Sequence, residues 1–103
     1  MSTCEWPLGN GESLDFTIYG PNTTWHPVPG IFIFTCMNKE KIWCALYIEQ
    51  TENFSLRIPE HELIDEAVQA GATHIHALVV QEAADREKWA KMLIEHLQPP
   101  LNR

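Results

Sequence analysis

Two apolar runs flanking a short polar segment constrain this chain more than anything else in it. Ile31 to Cys36 is β-branched and aromatic, Met37 to Lys41 is polar, and Ile42 to Glu49 is again rich in strand formers. Such residues fit a pleated surface, and two runs joined by a polar turn predict an antiparallel hairpin. Neither run alternates cleanly between apolar and polar, so burial on both faces is expected.

The flanking segments extend this pattern. Residues 1–14 carry turn chemistry in Trp6-Pro7, Gly9-Asn10-Gly11 and Ser13 and read as an irregular start. Asp15 to Tyr19 reads as a short strand, closed by Gly20-Pro21-Asn22, and Trp25 to Gly30 is a proline-stiffened loop. Beyond the hairpin, the polar segment from Gln50 to Ile58 begins with a helical turn. A helix over 59–70 is expected, with Pro59 at its first position, Leu63, Ile64, Ala67 and Val68 as its apolar stripe, and Gly71 as its C-cap. A strand over 73–80 follows. A second helix over 83–97 turns Trp89, Ala90, Leu93, Ile94 and Leu97 inward and pairs Glu87 with Lys91, before Pro99-Pro100 stops it. The resulting fold class is α/β in the α+β sense: a small central, mainly antiparallel sheet flanked by helices. At 103 residues the chain has single-domain length, with residues 1–27 as an N-terminal extension carrying the extra strand.

Charge narrows the partners. Seven basic residues face fourteen acidic ones, for a formal net charge of −7. Non-specific nucleic-acid affinity comes mostly from Lys and Arg on phosphates, so bulk nucleic acid is disfavoured and a protein or small-molecule partner is expected. Cys4, Cys36 and Cys44 are odd in number and form no CxxC pair, which argues against a disulfide framework or a zinc knuckle. No signal peptide or membrane-length apolar stretch is visible, so a cytoplasmic location is expected.

Several short motifs fall into a familiar order. Gly30-Ile31-Phe32, then Leu46-Tyr47-Ile48-Glu49, then the segment from Gln50 to Arg57, resemble the GIY-YIG nuclease superfamily, and Leu93-Ile94 with the closing Pro99-Pro100-Leu101-Asn102 resembles its C-terminal helix and tail. The resemblance covers roughly residues 28–102 and implies a small, mainly antiparallel sheet flanked by helices. It also implies one-metal phosphodiester cleavage. A tyrosine assists the attacking water, an arginine stabilises the phosphate, and a helix glutamate holds a hard cation. By position, Tyr47, Arg57 and His61 match functional positions, and Asn102 matches the tail asparagine. Phe32 stands for the first motif's tyrosine, Glu49 for the second motif's glycine, and Ala90 for the metal-binding glutamate. The chain thus resembles a degenerate member of the family.

Other readings of these residues stand beside the functional ones. Tyr47 packs as a core-strand residue, and Arg57 pairs with a nearby acid such as Glu49. Glu87, one turn before Ala90, is a relocated metal ligand or a solvated helix residue. His74 and His76 share one strand face, as a metal pair or a structural pair. Trp43 and Trp89 are expected in the core, and Trp6 and Trp25 at the surface as ligand platforms. Three functions follow. The first is an inactive GIY-YIG-like domain that binds a protein or ligand without cofactor. The second is a DNA endonuclease with an altered site that needs Mg²⁺ or Mn²⁺. The third is a small acidic inhibitor or immunity-type protein.

Overall fold

The computed structural model describes residues 2–103. Its five strands are β1 (Thr3–Pro7), β2 (Ser13–Tyr19), β3 (Gly30–Met37), β4 (Trp43–Thr51) and β5 (His74–Val79). The helices are α1 (Phe54–Arg57), α2 (Ile64–Gln69) and α3 (Ala83–Leu97). The strands form one sheet in the order β1-β2-β5-β3-β4, with every neighbouring pair antiparallel.

The predicted hairpin is β3–β4, and β3 lies between β4 and β5. That explains its unbroken apolar run, because Gly30 to Thr35 are all buried. Alternation along β3 sends Ile31 and Ile33 to one core and Phe32 and Phe34 to another. The first core lies under α3 and includes Phe16, Ile48, Ala90 and Leu93. The second lies under α1 and α2 and includes Phe54, Ile58, Ala67 and Ala77. Gly30 admits no side chain, because a Cβ there would lie 2.1 Å from the Leu78 carbonyl oxygen and 2.5 Å from the Phe54 ring. Both cores therefore close tightly at the start of β3.

β4 is an edge strand, and the C-terminal tail covers it. The Asn102 side chain accepts from the Ile48 N–H and donates to the Ile48 carbonyl, both at 2.8 Å, and the Leu101 N–H donates to the Leu46 carbonyl at 3.0 Å. One amide side chain thus replaces a missing neighbour strand and blocks edge-to-edge pairing.

Five expectations are corrected. Residues 3–7, read as irregular, form β1; Gly9-Asn10-Gly11 is the loop of the β1–β2 hairpin, with both glycines at positive φ, and Pro7 is tolerated because β1 is an edge strand. Trp6, expected at the surface, is buried at 5% exposure in the α3-side core. The helix expected over 59–70 starts only at Ile64, because the Leu63 N–H donates to His61 Nδ1 at 3.0 Å and that turn competes with a helical start at Pro59. Val68, placed on its apolar stripe, is 61% exposed. Finally, Lys91 approaches Glu95 at 4.0 Å rather than Glu87; both acids are one turn away, and exposed pairs of this kind are nearly degenerate. Gly71 follows α2 at φ +103, the left-handed position expected of it.

Candidate functional site

The site grows out of two local features. Period-two alternation on β4 puts Tyr47 and Glu49 on the face opposite Ile48. Asn53 then caps α1 by accepting from the Ser55 and Leu56 N–H groups, which fixes a single turn ending at Arg57. Immediately after it, the His61 backbone N–H bonds the Ile58 carbonyl, and the imidazole folds inward until its side chain is fully buried. Phe32, Phe34 and Tyr47 surround that ring edge to face at centroid distances of 5.7, 5.2 and 5.2 Å.

Tyr47, Arg57 and His61 converge on the Glu49 carboxylate. The Tyr47 hydroxyl donates to Oε1, Arg57 Nη2 donates to Oε1 at 2.9 Å, and Arg57 Nε donates to Oε2. His61 Nε2 lies 3.0 Å from Oε1. Because His61 Nδ1 accepts from the Leu63 N–H, the proton belongs on Nε2, which donates to Glu49. The outer edge of Arg57 makes a second fork to Glu62 at 2.8 and 3.0 Å.

These bonds set the protonation states. Burial pushes the Tyr47 phenol up, and the hydrogen bond to Glu49 and its charge add to that, so the proton is held far above neutral pH. Burial also works to raise Glu49, but the hydrogen bonds from Arg57, Tyr47 and His61 outweigh it and the net shift is downward. The hydrogen bonds Arg57 donates to Glu49 and Glu62 hold it more firmly cationic than usual. The result is an ionised carboxylate enclosed by a phenol, a guanidinium and a neutral imidazole.

None of the other candidates hydrogen-bonds Glu49. Phe32 is fully buried in the α1/α2-side core. Ala90 is buried at 5% exposure and lines a groove along the β4 edge with Tyr47, Glu49, Gln50 and Glu87. Arg57 and His61 do not line that groove. His76 is fully buried on the other side of the sheet, accepting from the Trp6 indole N–H at Nδ1 over 2.9 Å. His74 and His76 both pack edge to face on Trp43, which itself is only partly buried. The fit of a divalent cation is poor on ligand chemistry alone: the Ala90 position offers no oxygen, and Glu49 is already saturated by donors. Among the described residues no group of three or more His, Cys, Asp or Glu side chains comes together as a ligand set. Cys36 and Cys44 face each other in register as free thiols, and burial, then Cys44, pushes the Cys36 thiol up.

Two residues carry roles that sequence reasoning missed. Trp6 donates its indole N–H to the buried His76. Arg86 is buried at 5% exposure and donates to the Gln50 side chain and to the carbonyls of Val80 and Gln81, tying the start of α3 to the end of β4. An arginine two residues before Lys88 on a helix looks solvent-facing, and nothing local distinguishes it.

No family model matches the sequence, and no curated protein matches it. Among solved structures, the chain is similar to the GIY-YIG N-terminal endonuclease domain of UvrC from Thermotoga maritima, in two point-mutant forms described as bound to the catalytic divalent cation. Identities are 24% and 23%, the TM-score is 0.60 in both cases, and the match covers 77% of this chain and 87% of that one. The curled antiparallel sheet, the short helices after β4 and the long closing helix are thus those of the GIY-YIG fold.

Proposed function

We propose that this chain is a GIY-YIG-fold domain that does not cleave phosphodiester bonds and serves instead as a binding module for a protein or small-molecule partner, without a metal cofactor. The observation that carries the reading is the Glu49 carboxylate, which takes up the hydrogen-bond donors of Tyr47, Arg57 and His61 together. A phenol that donates to a resident anion, with its proton held that tightly, is poorly placed to help a water attack phosphorus. An arginine forked onto two carboxylates has its charge spent within the protein, and groups that act as a unit lose most of their worth when one is removed. Support for binding comes from the surface beside α1 and α2. There Trp25, Phe34, Ile58, Ile64, Val68 and Ile75 line an apolar groove of about 290 Å³. The net charge of −7 favours partners other than bulk nucleic acid.

The test is cleavage of single- and double-stranded DNA in Mg²⁺ or Mn²⁺. Wild-type protein should stay at background. The triple change Phe32→Tyr, Glu49→Gly, Ala90→Glu has the best chance of gaining activity, whereas Ala90→Glu alone should not. Wild-type cleavage that disappears in Arg57→Ala would overturn the proposal. One observation favours the altered-site nuclease: Glu87 lines the same groove as Tyr47 and Glu49. In that case cleavage should require the added cation and be lost in Glu87→Gln. The inhibitor reading rests on net charge, and its signature is a basic partner recovered by pull-down.

A further inference from the structure

Cys36 and Cys44 stand opposite each other near the tip of the β3–β4 hairpin, and both are partly exposed free thiols. The ladder fixes how they meet. The Asn38 N–H donates to the Ile42 carbonyl at 3.0 Å, so those two residues are a hydrogen-bonded pair. Alternation along an antiparallel ladder makes Cys36 and Cys44 the next hydrogen-bonded pair. The Cα atoms of such a pair lie about 5.5 Å apart, inside the range of about 4.4–6.8 Å that a disulfide spans. Their side chains share one face of the sheet, and the Cβ atoms must close by on the order of 1 Å to form the bond. The local structure allows that closure. β5 pairs with β3 only as far as Thr35, so Cys36 and Met37 pair with β4 alone, and a two-stranded ribbon twists more than a full sheet. Met37 and Ile42 are 43% and 60% exposed, so the tip is not tied into either core. The third cysteine, Cys4, lies across the sheet on β1, out of reach of both.

We infer that Cys36 and Cys44 form a redox-modification site, a cross-strand dithiol that a small disulfide of the glutathione class converts into one reversible crosslink. One cysteine, as its thiolate, attacks a sulfur of oxidised glutathione. The glutathione S–S bond breaks, one glutathione leaves and takes up a proton, and a mixed disulfide remains. The second cysteine gives up its proton and attacks the protein-bound sulfur, and the other glutathione leaves and is protonated. Two protein thiols are oxidised, and one glutathione disulfide is reduced to two thiols. The turn between the cysteines carries Lys39 and Lys41 against Glu40, a local positive excess in a protein of formal net charge −7, which favours an anionic oxidant at this place. Burial, then Cys44, pushes the Cys36 thiol up, so conversion is faster in mildly alkaline buffer. The crosslink lies beside the apolar groove. A Cβ at Gly71 would be 3.8 Å from the Cys36 Cβ, and the neighbouring Ala72 lines that groove. Oxidation therefore stiffens the strand ends at its rim, whatever the Glu49 cluster does.

The experiment is a thiol–disulfide titration. Wild-type protein is equilibrated under inert gas in glutathione buffers of rising oxidised content, quenched in acid and blocked with N-ethylmaleimide. Digestion after Lys and Glu puts Cys4, Cys36 and Cys44 on separate peptides. Mass spectrometry should show peptides 13–39 and 42–49 joined, with Cys4 outside the pair, and dithiothreitol should separate them. Half-conversion should need roughly tenfold less oxidised glutathione in the native state than in concentrated urea, because the fold holds the thiols together. Cys36→Ser and Cys44→Ser should each stop at a mixed disulfide with glutathione. Thiols that stay unmodified, mixed disulfides on both cysteines that never close, a crosslink to Cys4 or between two chains, or a native titration no easier than that in urea would each overturn the inference.

Discussion

The two faces of the sheet solve the burial problem in opposite ways. Under α3, the core is aliphatic and aromatic, and its buried polar groups are the neutral Trp6–His76 pair and Arg86, which bonds Gln50 and two backbone carbonyls. Under α1 and α2, the aromatic core of Phe32, Phe34 and Phe54 abuts an ionic knot in which Glu49 meets Arg57, Tyr47 and His61. The first arrangement draws its stability from area removed from water. The second draws less, because desolvating charges offsets much of their attraction, but it fixes the position of each donor. Stability is concentrated on one face, and the chemistry on the other.

The largest effect expected from that contrast is at Leu93, which is fully buried on the α3 side. Leu93→Ala should cost about 2–5 kcal/mol by denaturant unfolding. A midpoint that hardly moves would mean the stabilising face has been misassigned.

Next comes pH. Burial, then the nearby His74, pushes His76 down to about 4 from an ordinary 6.5. A histidine held neutral in the folded state lets the unfolded chain bind the proton first, so stability falls as pH drops from about 6.5 towards 4 and levels off below. The loss is on the order of 3 kcal/mol across that window. His76→Gln should flatten this slope. The ionic face responds at lower pH, because Glu49 lies below its usual 4.5: its contribution is present above the ordinary carboxylate range and lost as pH falls through its depressed value. A single transition unaltered by His76→Gln would erase the distinction between the faces.

Asn102→Ala removes both bonds to Ile48 at the β4 edge and should cost about 1–3 kcal/mol. Hydrogen exchange should show the loss confined to β4 and the tail. The smallest effect belongs to Glu62, whose side chain is 65% exposed. Its carboxyl is held at about 2, first by the Arg57 hydrogen bonds, yet solvent and salt screen that pairing, so Glu62→Gln should melt with the wild type. A clear drop would show that the knot depends on its outer edge as well as on Glu49.

Much of this architecture was legible in the residues. The β3–β4 hairpin announced itself because both runs are long, β-branched and separated by a polar turn. α3 was read with its observed bounds because a 15-residue amphipathic segment ends in two prolines. The hairpin of β1 and β2 was half missed because five residues containing Trp6-Pro7 look like a turn until Phe16 and Leu14 are set opposite Cys4 and Trp6. α2 was drawn too long because a histidine that bonds its own neighbouring backbone leaves no periodic trace.

By itself the sequence determined the elements with strong local signals, the apolar faces of the central strands, and the residues Phe32, Glu49 and Ala90 that the resemblance singles out. Only the tertiary structure decided what those residues touch. Glu49 and His61 are 12 residues apart, and Trp6 and His76 are 70 apart. Whether such groups meet is set by sheet order and by which face each alternation selects, not by any local preference. Long-range hydrogen bonds need the whole fold to hold the partners within 3 Å, and that is why a substitution legible as a loss along the chain becomes, in space, a carboxylate seated in a ring of donors.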